Sequence, residues 1–334
     1  MKEALYYITR DEKVICQLCP HNCTIRPDAV GICKFRKNIN GILYSENYAL
    51  LSAINFDPIE KKPLYHFFPG AEILSLGSVG CNMKCRCCQN WQISQISEDD
   101  FPYGKSYSPE EIVRTARSRH NNIGVAYTYN EPTIWFEYML ETAKQVHKAG
   151  MKNVMVSNGF INPEPLDELT EYVDAFNIDL KAFNDHFYKI QSGARLEPVK
   201  RALELLVKKN KHVEITNLVI PTLNDEEYEF TEMISWIAET LGKNIILHLS
   251  RYHPMYKLNI RSTDSDTLKR FYKIASEKLN YVYVGNISIN DCQDTKCIGC
   301  GRTVIKRSGY YIDRKGIDKH GRCLHCGELV VVAD

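Results

Sequence analysis

Apolar runs rich in β-branched residues alternate with amphipathic helical patterns through the middle of the chain. Strands are predicted at residues 73–79, 123–129, 152–157, 175–180, 212–219 and 244–249. The intervening stretches carry helix start signals, with an N-cap serine, a proline and a capping-box glutamate at 108–111 and similar signals at Asn162 and Asn224. Such alternation is typical of βα units on a parallel sheet, so we expect an α/β fold with six parallel strands in a partial, TIM-like (β/α)6 barrel.

Polar residues follow the predicted strands at their carboxyl ends, where parallel α/β folds gather their ligands. The residues in these positions are Cys81, Asn130, Glu131, Ser157, Asn158, Gly159, Asp179, Lys181, Asn224, Arg251 and His253. Asn224 taken alone is better explained by turn chemistry or a helix cap. Together, however, six strand ends that converge on one loop predict a single site.

The loop after the first predicted strand carries Cys81, Cys85 and Cys88, spaced x3 and then x2. Three thiolates at this spacing can each bind a different iron of a cubane, whereas a four-iron cluster needs four ligands. One iron is therefore left open, and an open iron can bind and activate another molecule. Cys87 is a possible fourth ligand, but its side chain points away from that of Cys88. The pattern indicates a catalytic 4Fe-4S cluster rather than an electron relay.

Composition narrows the class of protein. The 334 residues are 44% hydrophobic and 25% charged, which is ordinary for a globular protein, and a net charge of +1 gives no general attraction to nucleic acid or anionic membranes. No apolar run approaches the length of a membrane span, and the charged start is not a signal peptide. We expect a cytoplasmic protein, whose 13 cysteines bind metal rather than form disulfides.

Two further cysteine groups lie outside the barrel region, which we place at residues 73–288. In the C-terminal module, residues 289–334, two C-x2-C pairs predict a zinc-ribbon-like site, with rubredoxin-like iron as the alternative: Cys297, Cys300, Cys323 and Cys326. Cys292 lies apart from these pairs. In the N-terminal module, residues 1–72, structural zinc and an auxiliary iron-sulfur cluster both fit the spacing of the four cysteines: Cys16, Cys19, Cys23 and Cys33.

Basic residues are in excess within the C-terminal module. The eight are Lys296, Arg302, Lys306, Arg307, Arg314, Lys315, Lys319 and Arg322. An ordinary solvated face explains them. The alternative is a docking surface for an acidic reductant, a ferredoxin or flavodoxin, with RNA a distant second.

Longer sequence motifs support the same interpretation. The chain contains CQLCPHNC, GICKFRKN, SAINFDPIEKKPLYHFFPG, the cysteine loop running into QNWQISQ, YTYNEPT, SNGF and NIDLKAF. In these motifs it resembles the radical S-adenosylmethionine (SAM) superfamily over residues 73–288. Within that superfamily it is similar to the radical SAM proteins of the AmmeMemoRadiSam system and to pyruvate formate-lyase activating enzymes.

The resemblance implies that the amino and carboxylate groups of SAM chelate the open iron. Glu131 stands where the family uses Gly-Gly-Glu to bind the SAM amino group, although Tyr129 and Asn130 replace the glycines. Cys87 stands where a backbone contact to adenine is expected. By matching motifs, the cofactor-binding residues are Cys87, Asn130, Glu131, Ser157, Asn158, Asp179, Lys181 and His253.

The function that this resemblance implies is reductive cleavage of SAM to a 5′-deoxyadenosyl radical, which abstracts hydrogen from a small-molecule or protein substrate. It also implies work alongside Memo-like proteins and their small companion protein. One alternative is a glycyl-radical activating enzyme, although the ferredoxin-like insert common after the cluster motif of such enzymes is missing here. A second alternative is a non-catalytic scaffold in which all three cysteine groups bind zinc.

Overall fold

The computed structural model describes residues 1–96, 105–289 and 291–333. The first strands are β1 (Lys2–Glu3), β2 (Tyr7–Arg10), β3 (Lys13–Cys16), β4 (Thr24–Ile25), β5 (Arg36–Ile39), β6 (Ile42–Ser45), β7 (Leu50–Leu51), β8 (Ala53–Pro58), β9 (Glu72–Gly77) and β10 (Lys105–Ser106). The later strands are β11 (Asn122–Tyr127), β12 (Lys152–Ser157), β13 (Ala175–Asp179), β14 (His212–Val219), β15 (Ile246–Arg251), β16 (Tyr281–Gly285), β17 (Thr295–Lys296), β18 (Thr303–Ser308) and β19 (Tyr311–Asp313). The helices are α1 (Trp91–Ser94), α2 (Pro109–Arg117), α3 (Phe136–Lys148), α4 (Pro163–Thr170), α5 (Asp185–Phe187), α6 (Leu196–Lys208), α7 (Glu227–Trp236) and α8 (Ser265–Ser276).

The central sheet has eight strands in the order β16-β15-β14-β13-β12-β11-β9-β8. All neighbours pair in parallel except β8, which runs antiparallel to β9 at one edge. Each parallel strand lies beside the next one in sequence. Connections between neighbouring parallel strands are right-handed almost without exception. Because the strand order advances across the sheet in one direction, these connections place their helices on the same face of the sheet. The expected α/β class and parallel sheet are confirmed.

The structure extends the predicted set of six strands at both edges of the sheet. The seventh parallel strand is β16, whose alternating tyrosines and valines are largely buried. The antiparallel strand β8 precedes residue 72, where we expected the N-terminal module to end, and it pairs with β9 along its whole length. The last part of the predicted N-terminal module is therefore built into the central sheet.

The remaining strands form small sheets on either side of the central one. In the N-terminal module, β2-β3-β4 and β1-β6-β5 are three-stranded, and β7 pairs with β10. In the C-terminal module, β17-β18-β19 is a third three-stranded sheet. Among the helices of the described residues, none has both the length and the apolar character that a membrane span requires.

A connecting segment between β8 and β9, here called the floor loop (residues 59–71), packs beneath the amino ends of the parallel strands. The backbone N–H groups of Tyr65 and His66 donate to the buried carboxylate of Glu214 on β14, at 2.9 and 2.8 Å. The same carboxylate accepts from His212 and His248 at 2.9 and 2.6 Å. About four donors are as many as one carboxylate can take. The floor loop is thus held to the sheet by a fully satisfied buried charge.

Candidate functional site

The loop that bears the predicted catalytic cysteines leaves β9 through a tightly packed turn; we call residues 80–89 the cysteine loop. Gly80 has a positive φ of 85°, and a Cβ there would lie 2.4 Å from the ring of Phe35 and 2.8 Å from Ile134. Asn130 binds both sides of this turn, since its Oδ1 accepts from Ser78 N at 2.9 Å and its Nδ2 donates to Gly80 O at 3.0 Å. Asn130, predicted as a cofactor contact, therefore holds the cysteine loop in place.

Hydrogen-bond donors surround the first cysteine of the loop. Cys81 Sγ accepts from Met83 N at 3.3 Å and from Asn158 Nδ2 at 3.7 Å. Burial raises the pKa of the Cys81 thiol well above its ordinary value, and the nearby charge of Glu131 raises it further. Donors aimed at the sulfur suit a metal-bound thiolate, whose lone pairs accept hydrogen bonds.

A buried carboxylate connects two of the predicted strand ends. Glu131 is 3% exposed. Its Oε1 accepts from Thr133 N at 3.0 Å, from Thr133 Oγ1 at 2.7 Å and from Ser157 Oγ at 2.8 Å, whereas its Oε2 accepts only from Asn158 N, at 2.8 Å. Burial raises the pKa of Glu131, and the hydrogen bonds oppose that rise. Oε2 therefore retains capacity for one more donor.

The turn after β12 completes this side of the site. Asn158 Nδ2 donates to Asn82 Oδ1 at 2.9 Å, and Asn158 Oδ1 accepts from Phe160 N at 2.9 Å. Gly159 has a positive φ of 68° that few other residues adopt. The structure thus brings Cys81, Glu131, Ser157 and Asn158 together, as predicted, and adds Asn82, which sequence reasoning missed although it follows the first cysteine directly.

A second group of predicted residues lies nearer the other cysteines. Lys181 Nζ lies 2.7 Å from Asp179 Oδ2. Burial alone would lower the pKa of Lys181, but Asp179 and Cys85 outweigh burial and raise it well above its ordinary value. Burial raises the pKa of Cys87 to about 12, while the charge of Lys181 acts in the opposite direction. Lys181 is therefore a cation held beside the cysteine loop.

His253 occupies a different position. The segment that bears it follows β15 and contacts the cysteine loop, because Lys257 N donates to Arg86 O at 3.0 Å. Tyr256 also stacks on Trp91, with ring centroids 5.2 Å apart. His253 itself is exposed, and its Nδ1 lies 3.2 Å from Ser262 Oγ. The hydrogen bonds of the described residues do not connect it to the other predicted contacts.

Sequence reasoning missed a buried polar group between the floor loop and the sheet. Lys62 is 1% exposed and pairs with Asp57 at 2.7 Å, and burial lowers the pKa of Lys62 to about 8. The hydroxyl of Tyr129 donates to the same carboxylate, and its ring lies 4.6 Å from Lys62 Nζ. The signal that pointed here was the charged stretch DPIEKKP, which the sequence analysis used only as part of a longer motif.

The four cysteines of the C-terminal module converge on one point. The sulfurs of Cys297, Cys300, Cys323 and Cys326 all lie within 4.8 Å of one another. Two of the separations are 3.5 Å, between Cys297 and Cys326, and 3.8 Å, between Cys300 and Cys323. A tetrahedral zinc with Zn–S bonds of about 2.3 Å places its sulfurs about 3.8 Å apart. The donor set therefore fits a single metal ion, and Cys292 is not part of it.

One residue of the predicted basic surface is buried instead. Arg307 is 7% exposed and donates to Tyr65 O at 2.8 Å and to Thr295 Oγ1 at 2.7 Å. Its guanidinium also lies 4.2 Å from the ring centroid of Tyr65. The expectation that Arg307 faces a docking partner is wrong, because this side chain attaches the C-terminal module to the floor loop.

Comparisons with known proteins show what the chain is similar to. A family model of the radical SAM superfamily matches residues 76–234. The uncharacterized protein MJ0808 of Methanocaldococcus jannaschii is 42% identical over 336 residues, which cover 99% of both chains. The pyruvate formate-lyase 1-activating enzyme of Escherichia coli K12 is 25% identical over 188 residues, covering 53% of this chain and 73% of that enzyme.

A solved structure shows the same fold. The radical SAM methyltransferase from Sphaerobacter thermophilus matches with a TM-score of 0.51 and 12% sequence identity, covering 65% of this chain and 67% of that one. At this identity the likeness concerns the fold alone. It supports the arrangement of the central sheet and gives no information on the substrate.

Proposed function

The chain belongs to the radical SAM superfamily, and we propose that it is an enzyme whose Cys81, Cys85 and Cys88 hold a 4Fe-4S cluster with SAM on the open iron. When bound, this pair of cofactors supplies one-electron cleavage of SAM to methionine and a 5′-deoxyadenosyl radical, which abstracts hydrogen from a substrate. The chain contributes the position, charge and shielding of the site. We propose that the central sheet curves around it as a partial barrel.

The observation that carries this proposal is the buried carboxylate of Glu131 beside Cys81. Its Oε2 accepts one hydrogen bond, and an ammonium group is a donor that fits the remaining capacity. Near Cys85 and Cys87, Lys181 suits a carboxylate as a point charge. A ligand bearing both an amino and a carboxylate group, as the methionine part of SAM does, matches these two charges.

Reduction with dithionite tests the proposal. The protein is reconstituted without oxygen with iron and sulfide, then incubated with SAM, and 5′-deoxyadenosine is measured. We expect Glu131→Gln to retain its iron but to raise the KM for SAM about tenfold or more, the range for a lost hydrogen bond to a charged group. The matched control is Glu171→Gln, at an exposed glutamate on another part of the surface.

Three results would contradict the proposal. A colourless protein after reconstitution would favour the alternative of a zinc-binding scaffold. A brown protein that forms no 5′-deoxyadenosine would retain the cluster and exclude the reaction. An unchanged KM in Glu131→Gln would refute the role of that carboxylate while leaving the reaction intact.

A second candidate function is activation of a glycyl-radical enzyme, favoured by the similarity to the pyruvate formate-lyase 1-activating enzyme. In that case the hydrogen comes from a glycine Cα in a partner protein, which is left with the unpaired electron. The electron paramagnetic resonance (EPR) spectrum of a partner incubated with the enzyme, SAM and reductant distinguishes the two candidates. A glycyl-radical doublet would support activation, whereas product formation from a small molecule would exclude it.

We further propose the partners and metal that the sequence suggests. Ferredoxin or flavodoxin is the reductant, and Memo-like proteins with their companion act alongside this enzyme. The four C-terminal cysteines hold zinc in a zinc-ribbon-like site. The sulfur separations support a single tetrahedral ion at that position.

A further inference from the structure

The four cysteines of the N-terminal module surround a cavity, here called the N-terminal cavity. Cys16 ends β3, and its N–H donates to Cys23 O at 3.0 Å. Cys19 begins a turn that returns to Asn22, and Cys33 lies within a second turn that runs from Gly31 to Lys34. All four cysteines line the N-terminal cavity, which is partly open to solvent. The sequence therefore brings four thiols to one place through two short turns.

Apart from the cysteines, the lining is largely apolar. Leu18, Ile25, Ile32 and Ile134 form much of the wall. The backbone of Gly31 borders the thiols, since a Cβ at this position would lie 3.7 Å from Cys23 Sγ and 3.3 Å from Ile25. A larger residue there would fill part of the space between the thiols. Apolar walls around a ring of cysteines are the environment of a buried iron-sulfur cluster, where they limit contact with water.

The spacing of these thiols differs from that in the C-terminal module. Among the described residues, the C-terminal cysteines are the group of three or more whose ligand atoms lie within 4.8 Å of one another. The N-terminal cysteines do not meet this limit, although all four line the N-terminal cavity. A single zinc draws its sulfurs together. A four-iron cluster places a separate iron beneath each sulfur and holds the sulfurs farther apart.

An unpartnered donor gives independent support. Arg36 is 2% exposed and lines the N-terminal cavity. Its terminal nitrogens are occupied by Glu137, at 2.9 Å, and by Leu5 O, at 2.8 Å, but its Nε has no hydrogen-bond partner within the described part of the chain. A buried N–H left unpaired is costly. Sulfur atoms of a cluster would accept a hydrogen bond from it.

The N-terminal cavity also adjoins the catalytic site. Asn82, next to Cys81, lines the cavity, and its backbone oxygen lies 2.7 Å from His21 Nε2. The side chain of the same asparagine binds Asn158 on the catalytic side at 2.9 Å. One residue thus forms the wall between the two sets of cysteines.

From these contacts we infer that Cys16, Cys19, Cys23 and Cys33 bind a second 4Fe-4S cluster, with all four irons ligated and with Arg36 Nε donating to one of its sulfurs. This cluster has no open iron and therefore binds no SAM. The inference goes beyond the proposed reaction, which needs only the catalytic cluster. It also assigns different metals to the two flanking modules, iron to the first and zinc to the second.

Metal and sulfide analysis of the full chain after anaerobic reconstitution tests the inference. We expect about eight irons in the wild type and about four in the triple variant Cys81→Ala, Cys85→Ala, Cys88→Ala, with zinc near one per chain in both. Cys292→Ala is the control, because this cysteine is outside every predicted ligand set, and it should retain about eight irons. The EPR spectrum of the reduced wild type should be broadened, because two neighbouring paramagnetic clusters interact. The spectrum of the triple variant should lack this broadening.

Other outcomes would overturn the inference of a second cluster. About four irons in the wild type, none in the triple variant and two zincs per chain would assign zinc to the N-terminal module and leave the proposed reaction standing. Because removing a cysteine could unfold the module, Arg36→Lys provides a second test that keeps the charge beside Glu137. We expect this variant to keep its iron and to lower the reduction potential of the second cluster, since an N–H···S bond is lost. An unchanged potential would exclude the Nε contact.

Discussion

We expect acid to destabilise the protein through one buried histidine of the floor loop. His66 is 3% exposed, and its two ring nitrogens lie 2.7 Å from Val330 O and 2.6 Å from the Tyr283 hydroxyl. A carbonyl oxygen only accepts, so Nδ1 carries the hydrogen and Nε2 accepts from Tyr283. The pKa of His66 is lowered from 6.5 to about 3, chiefly by burial and in smaller part by Arg307 and His212, while Glu214 and the bond to Val330 O act in the opposite direction.

The direction and size of this loss of stability in acid follow from the pKa of His66. Between pH 6.5 and about 3, the unfolded chain binds a proton at residue 66 that the native chain does not, so lowering the pH favours unfolding. The slope approaches about 1.4 kcal/mol per pH unit. From pH 7 to pH 5, His66 should therefore lower the free energy of unfolding by about 2 kcal/mol. Above pH 7 the histidine is neutral in both states and its contribution is constant.

Urea unfolding at pH 7 and pH 5 measures this change in the fully loaded protein. Other groups also titrate in this range, so the informative quantity is the difference between the wild type and His66→Gln. Glutamine can still donate and accept a hydrogen bond but does not titrate. We expect the variant to lose about 2 kcal/mol less than the wild type over the same interval. Equal losses in the two proteins would refute the assignment of a neutral buried His66.

Three further predictions concern the stability of the fold. Ser108→Ala removes the N-cap of α2, where Ser108 Oγ accepts from Glu111 N at 3.2 Å, and should cost about 1 kcal/mol in urea unfolding. Gly124→Ala would place a Cβ 1.8 Å from Lys152 O and should cost about 3 kcal/mol, whereas an alanine tolerated at no cost would contradict the close pairing of β11 and β12. Cys300→Ser should release the C-terminal metal and lower the melting temperature, and retention of one zinc per chain would contradict the four-sulfur site.

The helix start signals in the sequence differ in how well they predicted the observed helix starts. The capping box at residues 108–111 is confirmed, because its partners lie within one turn of helix. The start signal at Asn162 is confirmed in position, because Asn162 is the N-cap residue of α4 and Pro163 follows it, but the side chain of Asn162 makes no capping hydrogen bond. The signal at Asn224 is displaced, because α7 begins at Glu227 after Glu226. A capping bond is accepted by the side-chain oxygen, and Asn224 Oδ1 instead accepts from Ile220 N at 2.6 Å.

Cysteine spacing predicted which thiols belong together but not how far apart they lie. The spacings in the two flanking modules both fit four-thiol metal sites. The separation of the sulfurs depends on the turns and walls that the fold builds around them, such as the approach of Arg36 and Asn82 to the N-terminal cavity. Those residues lie outside the cysteine motif, so no pattern of cysteines alone could identify the metal.

The floor loop shows where local patterns gave no indication. Tyr65 and His66 donate to Glu214, a residue almost 150 positions later in the chain. A fully buried glutamate between Val213 and Ile215 conflicts with the expectation that buried strand positions are apolar. The conflict disappears only when two backbone donors and the imidazoles of His212 and His248 meet the same carboxylate.

The C-terminal module is better explained as a brace for the central sheet than as a docking appendage. Its last strand-like segment bonds to the floor loop, since Val332 N donates to His66 O and Phe68 N donates to Val332 O, both at 2.8 Å. Arg307 binds the same loop from β18. A metal that orders the C-terminal cysteines therefore also fixes the partners of His66, and through them the donors of Glu214 beneath the parallel strands. Loss of that metal should weaken the amino ends of the sheet, opposite the edge where the cysteine loop lies, and so affect stability before it affects SAM binding.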